Sequence, residues 1–201
     1  MAKNHYLDDS RQLLGYYLFM DKRLEKYFDE NLRDNPKDPE GLRNFSIELE
    51  QSLKLTTDPL QRIRFLGELG VHLRTLGDLD RAEQCLRDAL KIIQENNLGI
   101  KWEIQQKIRL AHVLQWKRSF NESDSLFSEI INTCRSNVDA TIYLDFALQH
   151  AGKNFFDQNR LREALAFFEE TMSLRLKRKA PQDQIESTDL AIKRTKSLLA
   201  Y

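Results

Sequence analysis

The sequence predicts an all-α fold: a right-handed α-solenoid of stacked antiparallel helix hairpins, closed by a C-terminal capping helix. Three observations carry this expectation. Residues Ile63–Ile92 read as two amphipathic helices joined by a tight turn at Gly77-Asp78. That pattern then recurs at a fixed step: Gly70 plus 41 is Ala111, and Ala111 plus 41 is Gly152. All 4 prolines (36, 39, 59 and 181) fall between helical stretches, and no segment alternates with the period of a strand.

Taken in chain order, the first nine residues are polar. Ser10 can cap a helix running to about Asp34, with Leu14, Tyr17, Leu24, Phe28 and Leu32 along one side. Leu13–Met20 is apolar nearly all round, more than one buried stripe requires, so Tyr16 and Phe19 are expected to pack on a second copy or on the extreme N-terminus, burial against the Asp38–Leu55 helix alone being an equal alternative. Asn35-Pro36 ends this helix, because the residue before proline avoids helical geometry. Asp38-Pro39 starts the next, which runs to about Leu55. Residues 10–57 thus read as N-terminal helices containing a degenerate repeat, with Phe28, Leu32, Gly41 and Phe45 at core positions.

Asp58-Pro59-x-Gln61 opens the first clear repeat (58–98) with an N-cap, a first-turn proline and a capping-box glutamine, and Asp80-x-x-Glu83 repeats the device for its partner helix. The second and third repeats (99–138 and 139–179) follow in register. Leu69, Leu110 and Ala151 are equivalent, as are Leu73, Leu114 and Phe155; Ala82, Ser123 and Ala164; and Leu86, Phe127 and Phe168. Gly77 and Asn159 suit the left-handed residue of the hairpin turn, whereas Arg118 at the same step predicts a different turn in the second repeat. Pro181 opens the capping helix (181–200), with Ile185, Ile192 and Leu199 on one face and Arg194 and Lys196 keeping the other wet.

Within the first clear repeat, Leu66-x2-Leu69-Gly70-x2-Leu73 followed by Ala82-x3-Leu86 and Ala89 resembles the tetratricopeptide repeat. That family's usual repeat is 34 residues, and seven more is close to two helical turns, so a helix lengthens without rotating its apolar face. The spacing resembles the longer-helix branch found in kinesin light chains and bacterial peptide-sensing regulators. The resemblance covers roughly residues 63–175 and implies a single domain over residues 1–201. It also implies a non-enzymatic protein or peptide interaction module, a scaffold or adaptor receiving a partner segment in a concave groove lined by the first helix of each hairpin.

Composition sets the outer bounds. Lys+Arg and Asp+Glu both number 31, so the net charge is zero, which argues against nucleic acid or an anionic membrane as partner. No run approaches 18 apolar residues, and Leu13–Met20 is too short and too acid-flanked for a signal peptide, so a cytoplasmic location is expected. Cys85 and Cys134 form no CxxC pair, and His5, His72, His112 and His150 have no metal-ligand spacing. His112 and Cys134 could be imagined as base and nucleophile, but Cys134 falls in a packed helix. No phosphate loop, HExxH or GxSxG is present, so no catalytic residue, cofactor or metal site is expected.

The 41-residue register also sorts the residues that the core leaves over into columns: Arg23, Arg64, Gln105, Phe146; Lys26, Gly67, Ile108, Gln149; Glu30, Val71, His112, Lys153; and Arg33, Arg74, Gln115, Phe156, with Thr75, Trp116 and Asp157 beside them. Candidate groove residues are therefore Arg64, Arg74, His112, Trp116, Phe146, Lys153 and Phe156. The expected ligand carries acidic residues at one end and a bulky apolar residue at the other. The arginines are equally readable as solvated surface charges, and the aromatics as cover for neighbouring helix. The chaperone-adaptor branch clamps a terminal carboxylate, but the matching places here hold Gly67 and Val71, then Arg109, then Phe146 and His150, so that clamp is absent. Two other functions remain open on the sequence: a structural protein that dimerises through its N-terminal helix, and a peptide-sensing regulator.

Overall fold

Helix starts keep time with the repeat. The structure, a computed structural model, describes residues 21–200. Eight α-helices lie among them: α1 Pro39–Leu55, α2 Pro59–Thr75, α3 Leu79–Glu95, α4 Ile100–Trp116, α5 Phe120–Ser136, α6 Leu144–Asp157, α7 Leu161–Lys177 and α8 Gln182–Leu199. The first helices start at Pro59 and Ile100, and the second at Leu79, Phe120 and Leu161, each 41 residues after the last. Consecutive helices pack on one another, and α2, α4, α6 and α8 also touch in a row. None of these helices is long and apolar enough to cross a membrane.

The 41-residue register identifies the core. Ala82, Ser123 and Ala164 are fully buried, as are Leu86, Phe127 and Phe168 beside them. Gly70 and Gly152 are small because the large residue of the next helix sits against them: an added Cβ would lie 2.7 Å from Leu86 Cγ at Gly70 and 2.5 Å from Phe168 Cε1 at Gly152. Gly152→Leu is expected to cost about 1–3 kcal/mol in urea unfolding, as overpacking of a filled core does; an unchanged midpoint would show that α6 and α7 do not meet there.

Local signals set most helix ends. Asp38, Asp58 and Asp78 accept hydrogen bonds from the backbone N–H groups of Gly41, Gln61 and Arg81. The third cap is therefore Asp78 rather than Asp80, and Glu83 instead meets Arg87 and Lys117. Gln61 accepts from the Thr56 hydroxyl at 2.9 Å rather than reaching back to the cap. Gly77, Arg118 and Asn159 all take left-handed backbone angles, and Asp78, Ser119 and Arg160 donate to the carbonyls of Leu73, Leu114 and Phe155. The second repeat thus uses the same turn as the others, contrary to the expectation for Arg118. The bond from Ser119 closes the helix end whichever side chain precedes it.

The N-terminal part departs from the sequence reading. Over the described residues 21–34 the expected helix is replaced: residues 21–37 form a 3₁₀ turn at Lys22–Leu24, a strand β1 at Lys26–Phe28 and a strand β2 at Asp34–Pro36. The strands pair antiparallel, Lys26 with Pro36 and Phe28 with Asp34, so a short ribbon stands where no strand was expected. Asp21 caps the turn through Arg23 N–H, and the Asp29 carboxylate accepts from Asn31 and Arg33 N–H while Leu32 takes φ 59°. Residues 22–57 are accordingly this strap plus a single helix, not a degenerate hairpin. The apolar run Leu13–Met20, with Tyr16 and Phe19, lies outside the described residues.

Helix α8 is also turned from its expected face. Its buried residues are Thr188, Ala191 and Thr195, while Leu199 is exposed and Ile185 and Ile192 are half-buried. The polar row is explained by what it meets: Arg175 donates to Thr188 at 2.7 Å and to Asp145 at 3.0 Å, and Thr188 bonds Gln149.

Candidate functional site

The strap lies across the row formed by α2, α4 and α6. Side chains from α2, α4, α6, α7 and α8 hold it there. Asp34, 5% exposed, receives a hydrogen bond from Arg74 of α2 at 2.8 Å, and has Lys26 of the strap itself at 3.2 Å and Lys153 of α6 at 3.7 Å. Two residues earlier, Leu32 packs into an apolar cluster with Phe156, Ala164, Phe168 and Ala191. Between them Arg33 bonds Asp157 at 2.8 Å and stacks on the Trp116 ring, 5.1 Å from its centroid. The paired strand contributes Phe28, the cross-strand partner of Asp34, whose ring lies 4.2 Å from the Lys153 ammonium.

The electrostatics follow from this burial. Desolvation alone would push the Asp34 carboxyl up, but Arg74, Lys26 and Lys153 outweigh it and hold the group well below the usual carboxylate range. Burial brings Lys153 down to about 8 against the opposing pull of Asp34. His112 and His150 lie against each other with ring centroids 4.3 Å apart, and the Trp116 indole N–H donates to His112 Nε2 at 3.2 Å. Burial, reinforced by Arg74 beside His112 and Lys153 beside His150, keeps both rings well below the normal histidine range and therefore neutral.

Five of the seven candidate groove residues converge under the strap: Arg74, His112, Trp116, Lys153 and Phe156. Four of them are buried, and Trp116 is half-buried. Arg64 lies apart, its guanidinium 5.6 Å from the Trp102 ring. Phe146 is half-buried beneath Arg175 and Arg178. Arg23, Lys26, Glu30 and Arg33 sit on the strap and not on a first helix, so the first place of each column belongs to the segment that crosses the face. His112 makes its contacts with Trp116 and His150, while Cys134 sits in the apolar cluster with Ile130 and Leu148. Burial pushes both cysteine thiols up to about 11.

Beside the strap a cavity of about 280 Å³ remains. Val71, Ile108, Tyr143 and Phe146 form its apolar side, and Lys26, Asp34, Arg74, Arg109, His112 and His150 its polar side. Arg109 and His150 were not among the columns read for the groove. The same arithmetic carries them, since Glu68, Arg109 and His150 are 41 residues apart in turn. Asp34 had no such signal, because its position depends on the strap. No cluster of metal-ligating side chains occurs among the described residues.

No protein-family model matches the chain, and no curated protein matches it. Among solved structures it is similar to one described as the crystal structure of BtubC (BKLC) from P. vanneervenii, with a TM-score of 0.57 and 16% identity. The match covers 80% of this chain and 74% of that one, and at that identity the likeness concerns the fold alone.

Proposed function

We propose that this is a non-enzymatic interaction module: a tetratricopeptide-type, right-handed solenoid of antiparallel hairpins whose concave face is the row α2, α4 and α6. The observation that supports it is the strap itself. This face already holds an irregular segment by a carboxylate (Asp34) and a leucine two residues away (Leu32), the two kinds of group expected in a partner. One unfilled part of the face is the cavity by Tyr143 and Phe146, and a partner segment would enter there. Tyrosine and arginine are among the residues most often found as interface hot spots, and Tyr143 and Arg109 both line this cavity.

A photo-reactive phenylalanine at Phe146 tests this in cells. It should cross-link to a defined partner, while the same group at Glu129, on the exposed side of α5, should not. Equal yields from both positions, or none from either, would remove the proposal. Self-assembly through the N-terminal segment gives a different result from the same experiment: cross-links at Phe146 would then join two copies of this chain.

A further inference from the structure

We infer that the cavity beside the strap binds a small organic monocarboxylate: one anionic group on an aliphatic or aromatic body. This deepens the reading of the same face, but it concerns a small molecule and does not depend on a protein partner. Its polar side presents three fixed cations, Lys26, Arg74 and Arg109, against one carboxylate, Asp34. Asp34 engages only one end of the Arg74 guanidinium, Nη2. The other terminal nitrogen, Nη1, is buried and has no hydrogen-bond partner among the described residues, on a residue that is only 3% exposed. His150 Nδ1 is likewise buried with no partner among the described residues. Arg109 has no carboxylate within ion-pair distance among the described residues, and its one side-chain bond, to Gln106, is long at 3.4 Å.

Buried donors left unpaired are costly, and a guanidinium is the side chain best shaped to meet a carboxylate. A carboxylate entering beside Arg109 would pair with its guanidinium and place an anion next to the incompletely paired Arg74 fork. A doubly charged group fits less well, because Asp34 shares the wall and the two histidines are neutral. Apart from Gln105, the rest of the lining, Val71, Ile108, Tyr143 and Phe146, is largely apolar and can cover the ligand's body. The volume is near the low end of the roughly 300–1,000 Å³ usual for ligand pockets. Because Lys26 and Asp34 of the strap form part of the wall, the space takes a compact acid or the tip of a segment, not a chain passing through it.

Calorimetric titration of the purified full chain with 3-phenylpropionate tests this, with 3-phenylpropionamide as the uncharged control. The acid should bind saturably with a Kd of about 1 mM or below, and the amide at least about tenfold more weakly. The tripeptide Gly-Gly-Phe, with and without C-terminal amidation, distinguishes the source of the carboxylate. Binding of the free acid alone assigns a small-molecule ligand, and equal binding of the non-amidated peptide assigns a chain terminus of the same chemistry. Arg109→Met should abolish saturation, and Arg109→Lys, which keeps the charge without the fork, should retain weaker binding and covers the case in which Arg109→Met does not fold. Absence of binding by the acid, equal binding of acid and amide, or a folded Arg109→Met with unchanged affinity would each overturn the assignment. None of these outcomes bears on the Phe146 cross-link, so the two readings fail separately.

Discussion

Asp34→Ala should lower the unfolding free energy by about 3–5 kcal/mol, the usual cost of removing one partner of a buried ion pair. The substitution leaves Arg74 and Lys153, each under 5% exposed, facing one another and Lys26 with no anion between them. It also releases the anchor that holds the strap beside α2. Two measurements should therefore move together: the urea midpoint falls, and limited proteolysis between Glu25 and Lys37 becomes faster. Asp34→Asn keeps the shape and removes the charge, so it should be nearly as damaging. If both variants unfold like the wild type, the three cations are solvated and the strap is not seated as described.

Acid should be similarly costly. His112 and His150 are held well below their ordinary pKa, and His72 is brought to about 4, by burial first and by nearby cations second: Arg74 and Lys153 for the first two, Lys26 and Arg109 for His72. In the unfolded chain each titrates near 6.5. Below that value the unfolded state holds more protons than the folded one, so stability falls as pH falls. At pH 5.5 each neutral histidine accounts for about 1.4 kcal/mol of lost stability relative to neutral pH, and three together for about 4 kcal/mol. Asp34 acts in the same direction only at lower pH, because its folded pKa lies below the unfolded value near 3.9. Lys153 acts in a separate window above about 8, where the folded state gives up its proton before the unfolded chain does. Urea unfolding at pH 7.5 and 5.5 measures the loss, and His150→Asn should remove about a third of it. A stability flat across this interval would mean that the three rings are hydrated.

The 41-residue register was legible because it rests on local and periodic physics. A glycine or alanine is required wherever a large residue of the next helix presses in, as Phe168 does at Gly152, and that requirement recurs with each hairpin. Caps at Asp38 and Asp58 and the left-handed turns at Gly77 and Asn159 are equally local, each closed by backbone groups a few residues away. The same arithmetic placed Arg74, His112, Lys153 and Phe156 on one face. What covers that face was decided only by the tertiary structure. Phe28 and Leu32 are spaced as on a helix, and nothing local forbids one. Their segment instead gains a buried carboxylate on Arg74, 40 residues along the chain, and an Arg33–Asp157 bond spanning 124. Contacts at such separation leave no period in the sequence, and together they outweigh the modest helical preference of a short stretch. Helix α8 turned for the same reason: Thr188 faces inward because Arg175 and Gln149 wait there, and an apolar pattern cannot register a buried polar partner.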